Sequence, residues 1–373
     1  MNLFRKIKEV SFKIHAQKIE KLYEKYEHRF GPIAMLVGVT LDFIAFRRID
    51  LFFENMVLLG YLSIGAAGIT IINLYEGGKI SGKVLDRIRL WLPLLIQFSF
   101  GGLFSAFVVF YIKSASFVTS WPFFVVLIIL LIGNEFFRKR YIRLVFHMSI
   151  YFLALFSFMM FYLPIVFKSI GMGIFILSGI VSLVIISLFI YVLHKIIPKR
   201  IQKARNGLVG SIAIIYVIVN FFYIANIIPP IPLALKEGGV FHGIIRSGDH
   251  YKVLAEYEKF YERLMPVKSI HMVSGEPVYV FSAVFAPTDL REKIQHHWQY
   301  KDKENNKWVT VDKISYSILG GRDGGYRGYS FKSQVFPGDW RVDVETSEGK
   351  VIGRVRFNID SVKVTPEVRE MIF

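Results

Sequence analysis

Aromatic and basic side chains are concentrated in the C-terminal part of the sequence, and these residue types are well suited to binding a ligand. The candidate binding residues are Trp298, Trp308, Arg322, Tyr326, Arg327, Lys332, Trp340 and Arg341. Aromatic rings and guanidinium groups combine contact area, cation attraction and directional donors. Two interpretations are open: a surface for a protein partner, an envelope glycan or an anionic lipid, or a core of tryptophans with arginines outside it.

A second group of polar residues lies in or beside apolar stretches of the N-terminal part. Its members are Asp42, Arg47, Arg48, Asp50, Glu54, Gln97, Asn134 and Glu135. Ionisable side chains are costly at membrane depth, so each is a candidate for a site or for an ion pair. Two interpretations are open here as well: an ion-pair network that locks the first helical hairpin, or a path for a substrate or proton.

The sequence points to no catalytic, metal or cofactor site. It contains no Cys, which excludes thiol catalysis and cysteine metal sites, and no nucleophile, base and orienter set is recognised. His296 and His297 are adjacent in a predicted strand, so their side chains point to opposite faces and cannot easily share a metal. The glycine-rich run 320–325 lacks a following helix and a Lys-Ser or Lys-Thr pair, so it predicts a turn and not a phosphate loop.

The elements that position these residues differ before and after Lys236. The chain has 373 residues, 53% of them hydrophobic. Before Lys236 it consists of apolar blocks of about twenty residues, the length that crosses a bilayer core of about 30 Å. This pattern excludes a cytosolic enzyme, a disulfide scaffold and a disordered chain. We predict seven transmembrane helices, at residues 30–46, 51–74, 90–112, 118–132, 144–167, 172–193 and 208–231.

The charge of the chain predicts its orientation. Before Lys236 there are 25 Lys and Arg against 10 Asp and Glu, a net charge of +15, and the remainder carries only +2. Of the 25, 21 precede the first predicted span or follow the second, fourth and sixth, and four lie in the other connections. Basic connections are retained in the cytoplasm. We therefore expect a cytoplasmic N-terminus, a C-terminal part outside the cytoplasmic membrane and no nucleic-acid partner, because the charge forms no continuous patch.

The predicted organisation has four parts. Residues 1–29 have the spacing of a basic amphipathic helix that lies on the cytoplasmic leaflet or packs on the loops. Residues 30–235 form the seven-helix domain, and residues 236–268 an external linker with a helix at 249–265. Residues 269–373 form a small all-β sandwich of immunoglobulin-like type. Its predicted strands are 277–285, 293–300, 307–319, 326–335, 339–346 and 351–359.

The last two predicted strands allow a more specific prediction. A turn at 347–350 places Trp340 opposite Phe357 and Val342 opposite Val355 on an apolar face. The same register places Asp343 opposite Arg354 on the other face, where the charges are complementary.

Several short motifs carry a resemblance to a known family. They are His296-His297-Trp298, Trp308-Val309, Gly320-Gly321-Arg322, Gly325-Tyr326-Arg327, Pro337 through Val342, Ile352-Gly353-Arg354, and in the N-terminal part Leu41-Asp42-Phe43 and Asn134-Glu135-Phe136. The chain resembles an uncharacterised bacterial family of multispan membrane proteins with a C-terminal domain of unknown function of the DUF2914 type. The resemblance implies a bacterial envelope location and supplies no catalytic residues.

These observations favour a non-catalytic membrane protein in the bacterial cytoplasmic membrane that displays a β-sandwich outside it. The expected partners are the lipid bilayer and an envelope protein or glycan, and no cofactor is expected. The alternative is a transporter or lipid-handling protein that uses the polar cluster on the first helical hairpin.

Overall fold

The computed structural model describes most of the chain from residue 51 onward. The predicted helix 1–29, most of the predicted spans 30–46 and 118–132, and Arg47, Arg48, Asp50, Asn134 and Glu135 lie outside the described residues. Those described are 39–40, 42–44, 51–82, 92–114, 125–126, 128–129, 144–228, 232–248, 250–257, 267–322 and 324–373.

Five helices in the described part are long and apolar enough to cross a membrane. They are α1 (Phe52–Glu76), α2 (Leu92–Ser114), α3 (Leu144–Phe167), α4 (Met172–Ile196) and α5 (Pro198–Ile224). They correspond to the second, third, fifth, sixth and seventh predicted spans, and the first four agree within three residues. The membrane-length helices are consistent with a membrane protein.

The seventh predicted span, 208–231, is shifted in the structure. Helix α5 begins ten residues earlier at Pro198, so the basic residues expected in a connection form its first turns. Proline is favoured in the first turn of a helix because its missing N–H has no partner there, and Lys and Arg are good helix formers. The helix ends at Ile224, and Asn226 adopts a left-handed backbone with φ of 56°.

The five helices pack as an up-and-down bundle around α3. Close contacts of glycines on α1 and α2 set the distance between these antiparallel helices, since a Cβ on Gly68 would lie 2.7 Å from Ile96. Helix α4 returns along α3, and α5 runs parallel to α3 with Phe156 stacked on Tyr216 at 5.8 Å. Phenylalanine rings of α2 and α3 fill the core between them.

The two ends of the bundle differ in charge. One end, which we call the basic end, holds the end of α1, the starts of α2 and α3, and the junction of α4 and α5. There Arg200 donates to Asn73 Oδ1 at 3.0 Å and pairs with Glu76. The described basic residues at this end are Lys79, Lys195, Lys199, Arg200, Lys203 and Arg205. The opposite end contacts the C-terminal domain.

The described part of the C-terminal domain is all-β, with eleven strands in three sheets. Their orders are β1-β5-β8, β4-β10-β9-β6-β7 and β11-β3-β2, with only β4 and β10 parallel among these pairs. The strands are β1 (Ala234–Phe241), β2 (Gly243–Ser247), β3 (His250–Glu256), β4 (Lys268–Met272), β5 (Val278–Phe285), β6 (Arg291–Asp302), β7 (Lys307–Leu319), β8 (Tyr326–Lys332), β9 (Gly338–Thr346), β10 (Val351–Ser361) and β11 (Val368–Ile372).

Two apolar cores hold the three sheets together. The five-stranded sheet packs against the β1-β5-β8 sheet through Trp298, Trp340 and Phe357, which meet Val278 and Val280. The opposite face of the β1-β5-β8 sheet is covered by the third sheet, where Phe281 and Ala283 meet Tyr251 and Phe373. The domain therefore has three layers, with the five-stranded sheet at one surface.

The six predicted strands are confirmed, and so is the predicted register of β9 and β10. Val342 pairs with Val355, Trp340 with Phe357, and Asp343 with Arg354. The strands β1 to β4 and β11 were not predicted. They are short, and β1 contains glycines that weaken the sequence pattern of a strand.

The predicted linker helix is wrong where the structure describes it. Residues 250–256 form β3, in which Tyr251, Val253 and Ala255 are buried on one side. Tyr251, Leu254 and Tyr257 also fit the spacing of a helix, so the local pattern was ambiguous. Residues 250–256 form a strand because they pair with β2 on one edge and with β11 on the other. The β domain consequently begins at Ala234 and not at residue 269.

A turn of the β domain joins it to the helix bundle. In the turn between β9 and β10, Glu348 Oε2 accepts a hydrogen bond of 3.1 Å from the N–H of Met172, the first residue of α4. Two residues later, Lys350 Nζ donates to the carbonyl oxygen of Tyr223 at 2.8 Å, in the last turn of α5. Glu348 thus lies at the positive end of the α4 dipole, and Lys350 lies at the negative end of the α5 dipole. We call this pair of contacts the clasp.

The clasp predicts that Lys350→Met lowers the free energy of unfolding by about 1–3 kcal/mol, because a buried carbonyl loses its charged donor. Denaturant unfolding of the full chain in detergent, followed by tryptophan fluorescence, measures this change. The matched control is Lys363→Met at an exposed position, with an expected change within about 0.5 kcal/mol. Equal stability of the two variants would contradict the role of Lys350.

Candidate ligand-binding face

Two of the predicted binding residues lie in the core. Trp298 and Trp340 are 0% and 1% exposed, and their rings meet edge to face at 6.5 Å. Their indole N–H groups are satisfied inside the domain, by Ser330 Oγ at 2.9 Å and by the Phe336 carbonyl at 2.9 Å. These two tryptophans therefore fill the core of the domain, which is the second of the two interpretations of the aromatic residues.

Four other predicted residues lie around the edge strand β8. The exposed Arg322 lies 6.0 Å from the ring of Tyr326. The backbone carbonyl of Arg327 accepts a hydrogen bond from Tyr251. Lys332 bonds Asp312 at 3.1 Å and holds the pKa of that carboxyl below its ordinary value. The structure does not bring this group together with Trp308 and Arg341, which belong to the five-stranded sheet.

Trp308 and Arg341 lie on the outer face of the five-stranded sheet. Side chains alternate along a strand, so burial of Trp298, Trp340 and Val342 places their neighbours on the opposite side. We call this side the polar face. Its members are Gln295, His297, Gln299, Trp308, Thr310, Lys313, Arg341, Asp343, Glu345 and Arg354, on four adjacent strands.

A chain of contacts runs along the polar face from Trp308. The guanidinium carbon of Arg341 lies 4.3 Å from the centroid of the Trp308 ring, a cation–π geometry. Arg341 Nε donates to Gln299 Oε1 at 2.5 Å, and Gln299 Nε2 lies 3.1 Å from His297 Nε2. Each side chain is thus held by the next, which fixes the donors and acceptors in place.

His297 occupies the middle of the polar face. Its Nε2 lies 2.8 Å from Thr310 Oγ1, and its Nδ1 lies 3.3 Å from Glu345 Oε2. Because a carboxylate can only accept, Nδ1 carries the proton and Nε2 accepts from the Thr310 hydroxyl and the Gln299 amide. Thr310, His297 and Glu345 follow one another as hydroxyl, imidazole and carboxylate, the order found around an activated nucleophile. Thr310, however, is exposed on the edge strand β7 and not enclosed in a pocket. We therefore interpret the three residues as part of a binding surface.

Two carboxylates of the polar face are almost completely covered by longer side chains. Asp343 and Glu345 are both 4% exposed. Arg354 bonds Asp343 through two parallel contacts of 2.5 and 2.7 Å, a bidentate geometry. Gln295 and Lys313 bond Glu345 Oε1 at 2.7 and 3.2 Å. The negative charges are therefore neutralised locally, and the cationic and amide groups face outward.

Most members of the polar face were missed by the sequence analysis. His297 was considered only for a metal site, and Gln299, Thr310, Lys313 and Glu345 were not selected. The alternation of inward and outward side chains could have revealed them. It would have to be followed from β9 and β10 to the neighbouring strands β6 and β7. Asp343 and Arg354 were predicted as a cross-strand pair, and this pair is confirmed.

His296 points to the opposite side of β6, as predicted. It is 0% exposed and lies 2.8 Å from Ser282 Oγ, 2.7 Å from Ser330 Oγ and 3.2 Å from the Tyr316 hydroxyl. Burial lowers the pKa of the His296 imidazole to about 3, so it is neutral at physiological pH. Among the described residues, no group of three or more His, Asp or Glu is arranged to hold a metal ion.

The polar cluster predicted in the membrane part is only partly described. Asp42 Oδ2 accepts a hydrogen bond of 2.5 Å from Ser105 on α2, and Glu54 and Gln97 are buried. The Asp42 contact joins the first predicted span to α2. A second polar cluster, Arg200 with Asn73 and Glu76 at the basic end, was missed because its residues are distant in the sequence.

Comparisons with known proteins bear on the β domain only. Residues 291–359 match the family model described as protein of unknown function (DUF2914). The match covers β6 to β9 and most of β10, and it therefore includes the whole polar face. It supports a C-terminal domain of unknown function, as the resemblance of the sequence implies, and it does not extend to the helices.

Two further comparisons add no functional information. A search of curated proteins finds no match. Among solved structures, the chain is similar to the Pseudomonas fluorescens alkylpurine DNA glycosylase AlkC bound to DNA containing an abasic site analog, at 9% identity. That similarity covers 84% of this chain and 99% of the other, but its TM-score is 0.19, which is too low to support any argument about fold or function.

The buried His296 makes the stability of the β domain depend on pH. Its pKa is about 3 in the folded chain and about 6.5 in an unfolded one. Between these values only the unfolded state binds the proton, so stability falls as the pH falls below about 6.5. From pH 7.5 to pH 5 the contribution of His296 amounts to a loss of about 2 kcal/mol.

The measurement is the denaturant midpoint of the full chain at both pH values, followed by tryptophan fluorescence. His296→Gln is expected to lose less stability over this interval than the unaltered chain. The control His250→Gln, at an exposed position, should retain the full pH dependence. An unchanged dependence in His296→Gln would show that another group causes it.

Proposed function

We propose that the chain is a membrane-anchored, non-catalytic binding protein whose β domain recognises an envelope glycan outside the cytoplasmic membrane. The observation that carries the proposal is the polar face. This surface contains Trp308 and polar side chains from four strands, which are connected by hydrogen bonds. All of these residues lie within the segment that matches the family model.

The chemistry of the polar face suits a sugar better than an apolar partner. Sugar hydroxyls donate and accept hydrogen bonds at once, and the face offers amide, guanidinium, hydroxyl and carboxylate groups at neighbouring positions. Side chains already held by one another lose less conformational entropy when a ligand binds. The Trp308 ring adds an apolar surface at one end, against which the C–H groups of a sugar can pack.

The distribution of charge supports the orientation. The described basic connections of the bundle lie at the end opposite the β domain, and the outer end has few, such as Lys168, which pairs with Asp289 at 2.8 Å. Basic segments stay in the cytoplasm during insertion. We therefore propose that the basic end lies in the cytoplasm and the β domain outside a bacterial cytoplasmic membrane.

The directions of the helices support seven spans. Helix α2 ends at the outer end and α3 starts at the basic end, an arrangement that is compatible with the predicted span 118–132 between them. Helix α1 starts at the outer end, and Asp42 in the preceding segment contacts Ser105 in α2. With seven spans, the proposed location of the N-terminus is the cytoplasm. The face-to-face packing of the five-stranded sheet on the β1-β5-β8 sheet also supports the immunoglobulin-like type.

The alternative function, a transporter or lipid-handling protein, uses the cluster around Asp42. The hydrogen bond from Ser105 to Asp42 ties the first predicted span to α2. A hydrogen bond between two helices fits the interpretation in which the cluster locks the helices together, and not the one in which it lines a path. The glycan-binding proposal is therefore preferred.

Glycan binding is tested by cosedimentation of the full chain, in detergent, with purified peptidoglycan sacculi. We expect the unaltered chain to sediment with them. Trp308→Ala and Gln299→Ala should each weaken binding about tenfold, because each removes an interaction of about 1–2 kcal/mol. Arg322→Gln, an exposed substitution away from the polar face, serves as the control. Absence of binding, or equal binding by all variants, would refute the role of the polar face in recognising this glycan.

The orientation is tested with single cysteines, because the natural chain has none. Lys363→Cys lies in the β domain and Lys199→Cys at the basic end, both at exposed positions. A membrane-impermeant maleimide added to intact spheroplasts should label Lys363→Cys alone, and both variants after lysis. Labelling of Lys199→Cys before lysis, with protection of Lys363→Cys, would reverse the proposed orientation.

A further inference from the structure

We propose that the β domain contains a second ligand site, a groove between the five-stranded sheet and the β11-β3-β2 sheet that binds an organic anion. The ligand class is a carboxylate or phosphate carried on an apolar body. This site adjoins the polar face, because Arg354 also lines the groove, but the proposal does not depend on glycan binding.

The groove lies at the edge of the five-stranded sheet. Arg354, Val355 and Arg356, which precede the paired segment from Phe357 to Ser361 of β10, form part of one wall. The opposite wall comes from β3 and β11. Residues of β1 lie between the two walls. The groove has a volume of about 1220 Å³, which is large enough for an organic molecule of moderate size.

A carboxylate bridge fixes the relative position of the walls. Glu256 on β3 accepts hydrogen bonds from His242 Nε2 at 2.7 Å, from the backbone N–H of His271 at 2.7 Å and from His271 Nδ1 at 2.8 Å. Burial raises the pKa of Glu256, but these hydrogen bonds outweigh burial and lower it overall. Glu256 is therefore ionised and already bonded, and it joins β3 to β4 and to the connection between β1 and β2 in a preformed site.

Two arginines on opposite walls supply the recognition of an anion. Arg356 on β10 and Arg369 on β11 both line the groove. Within the described part of the chain, the Nε–H group of each is enclosed and has no hydrogen-bond acceptor. An enclosed donor without an acceptor is unfavourable, and native structures rarely leave one unexplained. The planar guanidinium matches the oxygens of a carboxylate or phosphate.

The rest of the groove indicates that the ligand is not a bare inorganic ion. Apolar side chains line much of it, among them Val355, Val364, Met371 and Phe373. Val364 is 79% exposed, so an apolar ligand would remove its surface from water. An anion with an apolar body satisfies the guanidinium groups and covers these side chains at the same time.

The test uses the full chain in nanodiscs of neutral lipid and phenyl phosphate as the probe, with isothermal titration calorimetry and empty nanodiscs as the blank. Inorganic phosphate and phenol represent the two halves of the probe. We expect phenyl phosphate to bind more tightly than either half. Arg356→Gln and Arg369→Gln should each raise its Kd about tenfold or more, since each removes one charged donor.

Two further variants make the result specific. Arg322→Gln removes an exposed arginine outside the groove and should leave the Kd unchanged. Arg356→Lys keeps the charge but not the planar fork, and an intermediate Kd is expected even if Arg356→Gln fails to fold. Absence of phenyl phosphate binding, or the same Kd in the groove variants and the control, would overturn the proposal. Equal affinity for inorganic phosphate would overturn the apolar part of it.

Discussion

The clasp, in which Glu348 and Lys350 of the β domain contact the helix bundle, is the constraint on which the arrangement of the two domains depends. Two residues of one turn meet the start of α4 and the end of α5. These antiparallel helices present dipoles of opposite sign at the same end of the bundle. A single turn with an acid and a base can therefore hold both helices, whereas two acids or two bases could hold only one. Because the turn continues into β9 and β10, the central strands of the five-stranded sheet are fixed to the bundle.

Alternation along those strands then determines both faces of the sheet. The apolar side chains that build the core, Trp298, Trp340 and Val342, dictate which residues appear on the polar face. A slip of one residue in register would exchange the two faces. The core and the candidate glycan-binding surface are thus consequences of one register, and the bidentate pair of Asp343 and Arg354 stabilises it from the outer side.

Local sequence patterns predict helices and strands that have a strong hydrophobic period. They fail where the structure of a segment is decided by contacts with residues distant in the sequence. Five long apolar helices and six alternating strands were found, including the register of β9 and β10. The sequence of strand β3 also fits a helix, because its pairing with β2 and β11 cannot be read locally. Most residues of the polar face are hidden from sequence reasoning for the same reason: Trp308 and Arg341 have a suggestive composition, whereas Thr310 acquires a role only beside His297. The groove depends on the contact of Glu256 with His242 and His271, which no sequence spacing reveals.

The geometry of the clasp also constrains what the polar face can reach. Strands rise about 3.3 Å per residue, so Arg354 lies about 13 Å along β10 from Lys350, and Arg341, which pairs with Arg356, lies about 20 Å away. Trp308 lies further along, since it pairs with Lys301 beyond the pair of Tyr300 and Trp340. The polar face therefore extends away from the bundle end over a distance of several sugar units. In the proposed membrane location, lipid headgroups would lie beside the bundle end, and a ligand that spans this face would project from the membrane as an envelope polymer does.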